Sequence, residues 1–147
     1  MAQTSFTGPL ASGTREAGTS LGPNIGLATL SQTGTIAQNS TNTVDLTFYL
    51  PAGAQIVDIL FDVTTAYDSV TSATGTVGTA SAGTQYASGV NCKTAGRTRP
   101  TFTAAQLAAM ADVSTNRTVV ASIAVVGATA AGNVRVTLVY VQKDGVA

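Results

Sequence analysis

The chain has 147 residues and no histidine, and only 10% of it is charged. Without histidine, Ser-His-Asp triads, Cys-His pairs and His-based zinc sites are unavailable, so the sequence reads as a building part and not an enzyme. Seven acidic and seven basic residues give zero net charge, which denies a general nucleic-acid binder its basic surplus and leaves little repulsion between copies.

A chain of this length buries roughly 68–70% of its unfolded surface, enough for one core. With no tryptophan and 5% aromatics, that core must be built from Val, Ile, Leu and Ala. Met1–Asn24 is rich in Gly, Ser, Thr and Ala, carries Arg15 and Glu16 side by side, and has no helical or strand period. We read it as a flexible or extended N-terminal arm that gains order against a neighbouring subunit, the plainer alternative being a frayed terminus, with residues 25–147 as one domain. It shows no basic stretch followed by an apolar run, so we expect no signal peptide and synthesis in a cytoplasm.

From Ile25 onward a two-residue period dominates. Leu27–Ala37 is a weaker strand candidate, rich in Thr but interrupted by Gly. Thr43–Leu50 alternates Val44, Leu46, Phe48 and Leu50 against Asp45, Thr47 and Tyr49, the pattern of a strand with one face in a core. Pro51-Ala52-Gly53 turns the chain. Gln55–Thr65 follows, with Val57, Ile59, Phe61 and Val63 expected inward and Asp58, Leu60, Asp62 and Thr64 outward. Ala73–Thr79 and Gln85–Val90 are further weak strands. Thr103 and Gln106 form a capping box at the start of a predicted two-turn helix over Ala104–Ala111, with Leu107 and Met110 on its apolar side. Val119, Ala121, Ile123 and Val125 mark one more strand, and Val134, Val136, Leu138 and Tyr140 another. The Gly127–Gly132 loop between them predicts a hairpin. The expected fold is all-β: an antiparallel β-sandwich of jelly-roll type with about eight strands, one short helix in a connection and an extended N-terminal arm.

Chemical constellations are few. Cys92 is the only cysteine, which excludes an intramolecular disulfide, and we expect an incidental reduced thiol. Asp58 and Asp62 lie four residues apart on one strand, ~13 Å, beyond the ~5 to ~9.5 Å of glycosidase carboxylate pairs. We read them as a solvated face. The acids are too scattered for a calcium cage, and Gly75, Gly78 and Gly83 lack the GK[ST] element of a phosphate loop. No catalytic group, metal or cofactor is expected, and no apolar run approaches the ~18 residues of a membrane span. Lys93, Arg97 and Arg99 concentrate three cations in seven residues of a Gly- and Pro-marked loop. Such a loop suits plain solvation, a clamp on an acidic protein surface, or a phosphate contact.

The stretch from Leu50 to Ala66 (LPAGAQIVDILFDVTTA), together with Thr76–Thr79, Tyr86–Val90 and Val134–Val141, resembles tailed-phage capsid decoration or cement proteins, such as the jelly-roll cement protein of Bordetella podophage. The resemblance implies a virion protein on the outer surface of a head shell, tying capsomers together against DNA pressure. Its implied partners are the major capsid protein and copies of itself, a dimer being favoured slightly over a trimer, with no direct nucleic acid and no membrane. Repeated weak contacts at fixed geometry would then act multivalently. Arg15, Glu16, Lys93, Arg97 and Arg99 are the candidate capsid contacts. The competing expectation is a tail or head-fibre component, or a receptor- or glycan-binding β-sandwich, which would expose aromatic platforms.

Overall fold

The computed structural model describes residues 27–38 and 43–143. The predicted arm, with Arg15 and Glu16, lies outside the described residues. Eight strands and one helix are described: β1 (Leu27–Ala37), β2 (Thr43–Leu50), β3 (Ala54–Thr65), β4 (Ser72–Gly78), β5 (Ala87–Asn91), β6 (Gly96–Thr98), α1 (Ala104–Ala109), β7 (Arg117–Val126) and β8 (Asn133–Lys143).

They form two four-stranded antiparallel sheets, ordered β1-β8-β3-β6 and β2-β7-β4-β5. Only β4 and β5 are both consecutive and hydrogen-bonded; every other connection crosses between sheets. That is jelly-roll wiring. The inner faces meet in a single core containing Ile36, Phe48, Ile59, Phe61, Val77, Val119, Ile123, Val136 and Leu138.

The glycines that weakened two strand readings have a packing reason. A Cβ on Gly34 would stand 2.8 Å from the Leu46 side chain, and one on Gly75 would stand 2.8 Å from the Phe61 ring. At each point a side chain of the opposite sheet fills the place where a side chain would sit.

Three expectations need correction. First, β7 and β8 do not form a hairpin. β7 lies between β2 and β4, while β8 lies between β1 and β3, so their apolar rows face each other across the core instead of lying side by side. Second, a bulge between Ile56 and Asp58 shifts the register of β3 against β8. The extra residue reverses the alternation, burying Ile56 and leaving Val57 exposed. Third, α1 has its capping box, with Thr103 Oγ1 accepting from Gln106 N at 3.3 Å and Gln106 Oε1 accepting from Thr103 N at 2.9 Å. Its buried residue is however Gln106, whose Nε2 donates to Thr84 O at 3.3 Å, while Leu107 is exposed. Arg117 closes that end, donating to Ala109 O, Met110 O and Ala54 O.

Candidate interaction surfaces

Cross-strand pairing places Asp62 of β3 opposite Arg135 of β8 on one side and Arg97 of β6 on the other. All three point to the outer face of the first sheet. Asp62 Oδ1 accepts from Arg97 Nε at 2.5 Å, and Oδ2 accepts from Arg97 Nη2 at 3.0 Å and from Arg135 Nε and Nη2 at 3.1 and 2.7 Å. These four N–H groups and the charge behind them hold the Asp62 carboxyl well below the usual carboxylate range, with Arg97 the larger cause. Arg97 is in turn held more firmly protonated. Four residues back along β3, Asp58 Oδ1 accepts from Arg99 Nε at 2.8 Å and from Ile59 N at 2.9 Å. Three guanidiniums thus stand against two carboxylates, leaving one positive charge in excess. The guanidiniums remain open to solvent, the Arg97 and Arg99 side chains being 64% exposed.

The structure therefore divides the predicted basic cluster. Arg97 and Arg99 join the outer-face ladder, and Asp58 and Asp62 are its anions instead of a free solvated row. Arg135 was not foreseen, although its place between Val134 and Val136 marks it as outward-facing. Lys93 belongs elsewhere: its Nζ donates to Thr71 O, in the connection between β3 and β4, at 3.4 Å. Thr71 N bonds Val126 O, so Lys93 lies beside two exposed valines, Val70 (79% exposed) and Val126. Each of those valines leaves an apolar side chain exposed at this end of the sandwich, which the alternation pattern of the sequence did not signal.

A separate shallow cleft of ≈ 350 Å³ is lined by Tyr49, Leu50, Pro51, Asn116, Arg117 and Thr118. Tyr49 is the only exposed aromatic residue among those described.

Two interior groups are held in their neutral forms. Burial pushes the Cys92 thiol up to about 11, and its Sγ donates to Val90 O. Burial likewise pushes Tyr67 up to about 12, and its hydroxyl donates to Ile36 O at 3.4 Å. Among the described residues no group of three or more Cys, Asp or Glu side chains is gathered to hold a metal ion, and no helix is long and apolar enough to cross a membrane.

No protein-family model matches the chain, and no curated protein matches it. Among solved structures, it is similar to a chain of the "Cyanophage Pam1 capsid asymmetric unit". The two are 22% identical, with a TM-score of 0.58 over 89% of this chain and 99% of that one. At this identity the likeness is one of fold.

Proposed function

We propose that the protein is a structural component of a phage virion that binds the outside of the head and cements neighbouring capsid subunits. The observation that carries this reading is the fold likeness to a chain of a cyanophage capsid asymmetric unit, a likeness that spans 99% of that chain. The likeness takes in 89% of this chain as well, so the described fold has a counterpart in a capsid over most of its length. The role is mechanical: the domain spans a joint between subunits and resists its opening. Many copies on a lattice turn modest contacts into a strong net.

Two surfaces suit the contact with the major capsid protein. One end of the sandwich offers Val70 and Val126 for burial, with Lys93 beside them holding a single long bond to a backbone carbonyl. An acidic group on the shell displaces that bond at little cost. On the outer face, Arg97 and Arg99 keep exposed guanidinium edges while Asp58 and Asp62 fix their direction. Fixed, partly neutralised cations of this kind favour specificity over raw attraction. Arg15 and Glu16, as parts of the arm, are proposed contacts as well. The reading is of a non-enzyme: the one thiol is buried and held protonated, and Asp62 is locked as an anion.

Co-sedimentation of the full chain with undecorated heads of the phage that encodes it, followed by heat release of packaged DNA, tests the proposal. Saturable binding that raises the release temperature is expected, and Lys93→Glu with Val70→Asp should weaken it. Absence of binding would overturn the capsid role. Tyr49, standing over its cleft, is the observation that favours a glycan-binding fibre component instead. Binding to host cells that is lost in Tyr49→Ala would support that second reading.

A further inference from the structure

The outer strand β1 differs from the other sheet edges. It pairs with β8 along all eleven residues from Leu27 to Ala37 without a register shift, and no strand among the described residues pairs with its other side. At about 3.3 Å per residue it presents an edge of roughly 36 Å. The segment LATLSQTGTIA contains no charge and no proline. Proteins guard exposed edges with short strands, charges, prolines or bulges, and β1 has none of these. The remaining edges do. β6 is three residues long and carries Arg97, with Arg99 just beyond it. β5 is five residues long, and its pairing with β4 is broken by a register shift. β2 carries exposed Asp45, and its Tyr49 carbonyl accepts a bond from Gln32 Nε2 at 2.8 Å.

The strand is also self-complementary. Laid antiparallel on a second copy about Gln32, it sets Thr29 opposite Thr35 and Ser31 opposite Thr33. All four side chains are exposed on the outer face, so these two outer cross-strand pairs, on either side of Gln32, are hydroxyl against hydroxyl, a favourable pairing. No like charges meet, and the whole chain is neutral.

We infer that β1 is the interface for a second copy of this chain, two β1 strands pairing antiparallel about a two-fold axis at Gln32. The two first sheets then merge into one continuous eight-stranded sheet, an isologous contact that closes at two subunits. The inference does not rest on the capsid reading. A dimer that ignores phage heads leaves it standing and defeats that reading, and a monomer that binds heads does the reverse.

The test is the mass of the full chain by light scattering, expected at about twice the 14.7 kDa of one copy. Two double variants probe the register: Ser31→Lys with Thr33→Lys, and Ser31→Glu with Thr33→Glu. Each sets like charges opposite each other and should be monomeric, while mixing the two should restore the dimer. Circular dichroism reports whether each has folded, and the same exchange at Thr29 and Thr35 serves if the first pair has not. A monomeric or trimeric wild-type chain overturns the inference. So do charged variants that remain dimeric alone, or a mixture that remains monomeric.

Discussion

Two aspartates in this protein are held below the usual carboxylate range by different means. Asp62, on the outer face of the first sheet, is held by the guanidiniums of Arg97 and Arg135. Asp68, after β3, is held at about 2 by neutral donors: the Thr129 hydroxyl first, then the Ala131 and Ala130 N–H groups. Those bonds are 2.6, 3.1 and 2.9 Å long and tie the β3–β4 connection to the β7–β8 connection. One arrangement uses formal charges in solvent, and the other uses dipoles fixed in a loop. The difference separates a face whose charges salt can screen from an end whose two connections are tied by neutral donors.

The tied end should be the less forgiving of the two. Beside Asp68, the ring of buried Tyr67 lies against Gly132, where a Cβ would approach its carbons to 2.5–2.7 Å. The ring has little room to yield, because its hydroxyl is bonded to Ile36 O. Gly132→Ala is therefore expected to cost about 1–3 kcal/mol through overpacking, seen as a fall of several degrees in Tm. A Tm within a degree of wild type would show that the ring slides freely and that the end is not rigid.

The same contrast explains what the sequence disclosed. Strands with an uninterrupted apolar row, such as Thr43–Leu50, were legible to the residue, because alternation is written into consecutive positions. The inward face of β3 was misread at Val57, since a bulge is set by the partner strand and leaves no mark in composition. The supposed hairpin across Gly127–Gly132 failed for a related reason: a Gly-rich loop suits a turn within a sheet or a crossing between sheets equally well. At the candidate site, the positions of Lys93, Arg97 and Arg99 were visible but their chemistry was not. The carboxylate partners lie 35 positions from Arg97 and 41 from Arg99, and Arg135 lies 73 from Asp62. Only the wiring of the sheet brings them together.

Acid titration sharpens the comparison at intermediate scale. Each aspartate has a folded pKa below its unfolded value of about 3.9. Each therefore contributes stability that is fully present above that pH and is lost as the pH falls through the folded value. For Asp68 the loss runs from about pH 4 down to about 2, and for Asp62 it extends lower. Acid unfolding of Asp62→Ala and Asp68→Ala is expected to begin from a lower stability plateau in both variants. Salt should then tell them apart. At ~1 M ionic strength, where screening acts within about 3 Å, the deficit of Asp62→Ala shrinks and that of Asp68→Ala persists. Equal salt sensitivity would mean that the two carboxylates do not differ in kind.

The smallest effect on stability is expected at Arg99. It gives one N–H to Asp58, its side chain is 64% exposed, and Asp58 keeps the Ile59 N–H when Arg99 is removed. Exposed pairs of this sort contribute about 0.2–1 kcal/mol, so Arg99→Ala should unfold within a degree or two of wild type. If the outer face makes the proposed capsid contact, its affinity for undecorated heads should nevertheless fall, because the guanidinium edge facing solvent would be the part that meets the shell. The two measurements together decide its role: a large stability loss would make Arg99 a brace for the sheet, and unchanged affinity would remove the outer face from the capsid contact. Falling affinity with intact stability is what a contact residue produces.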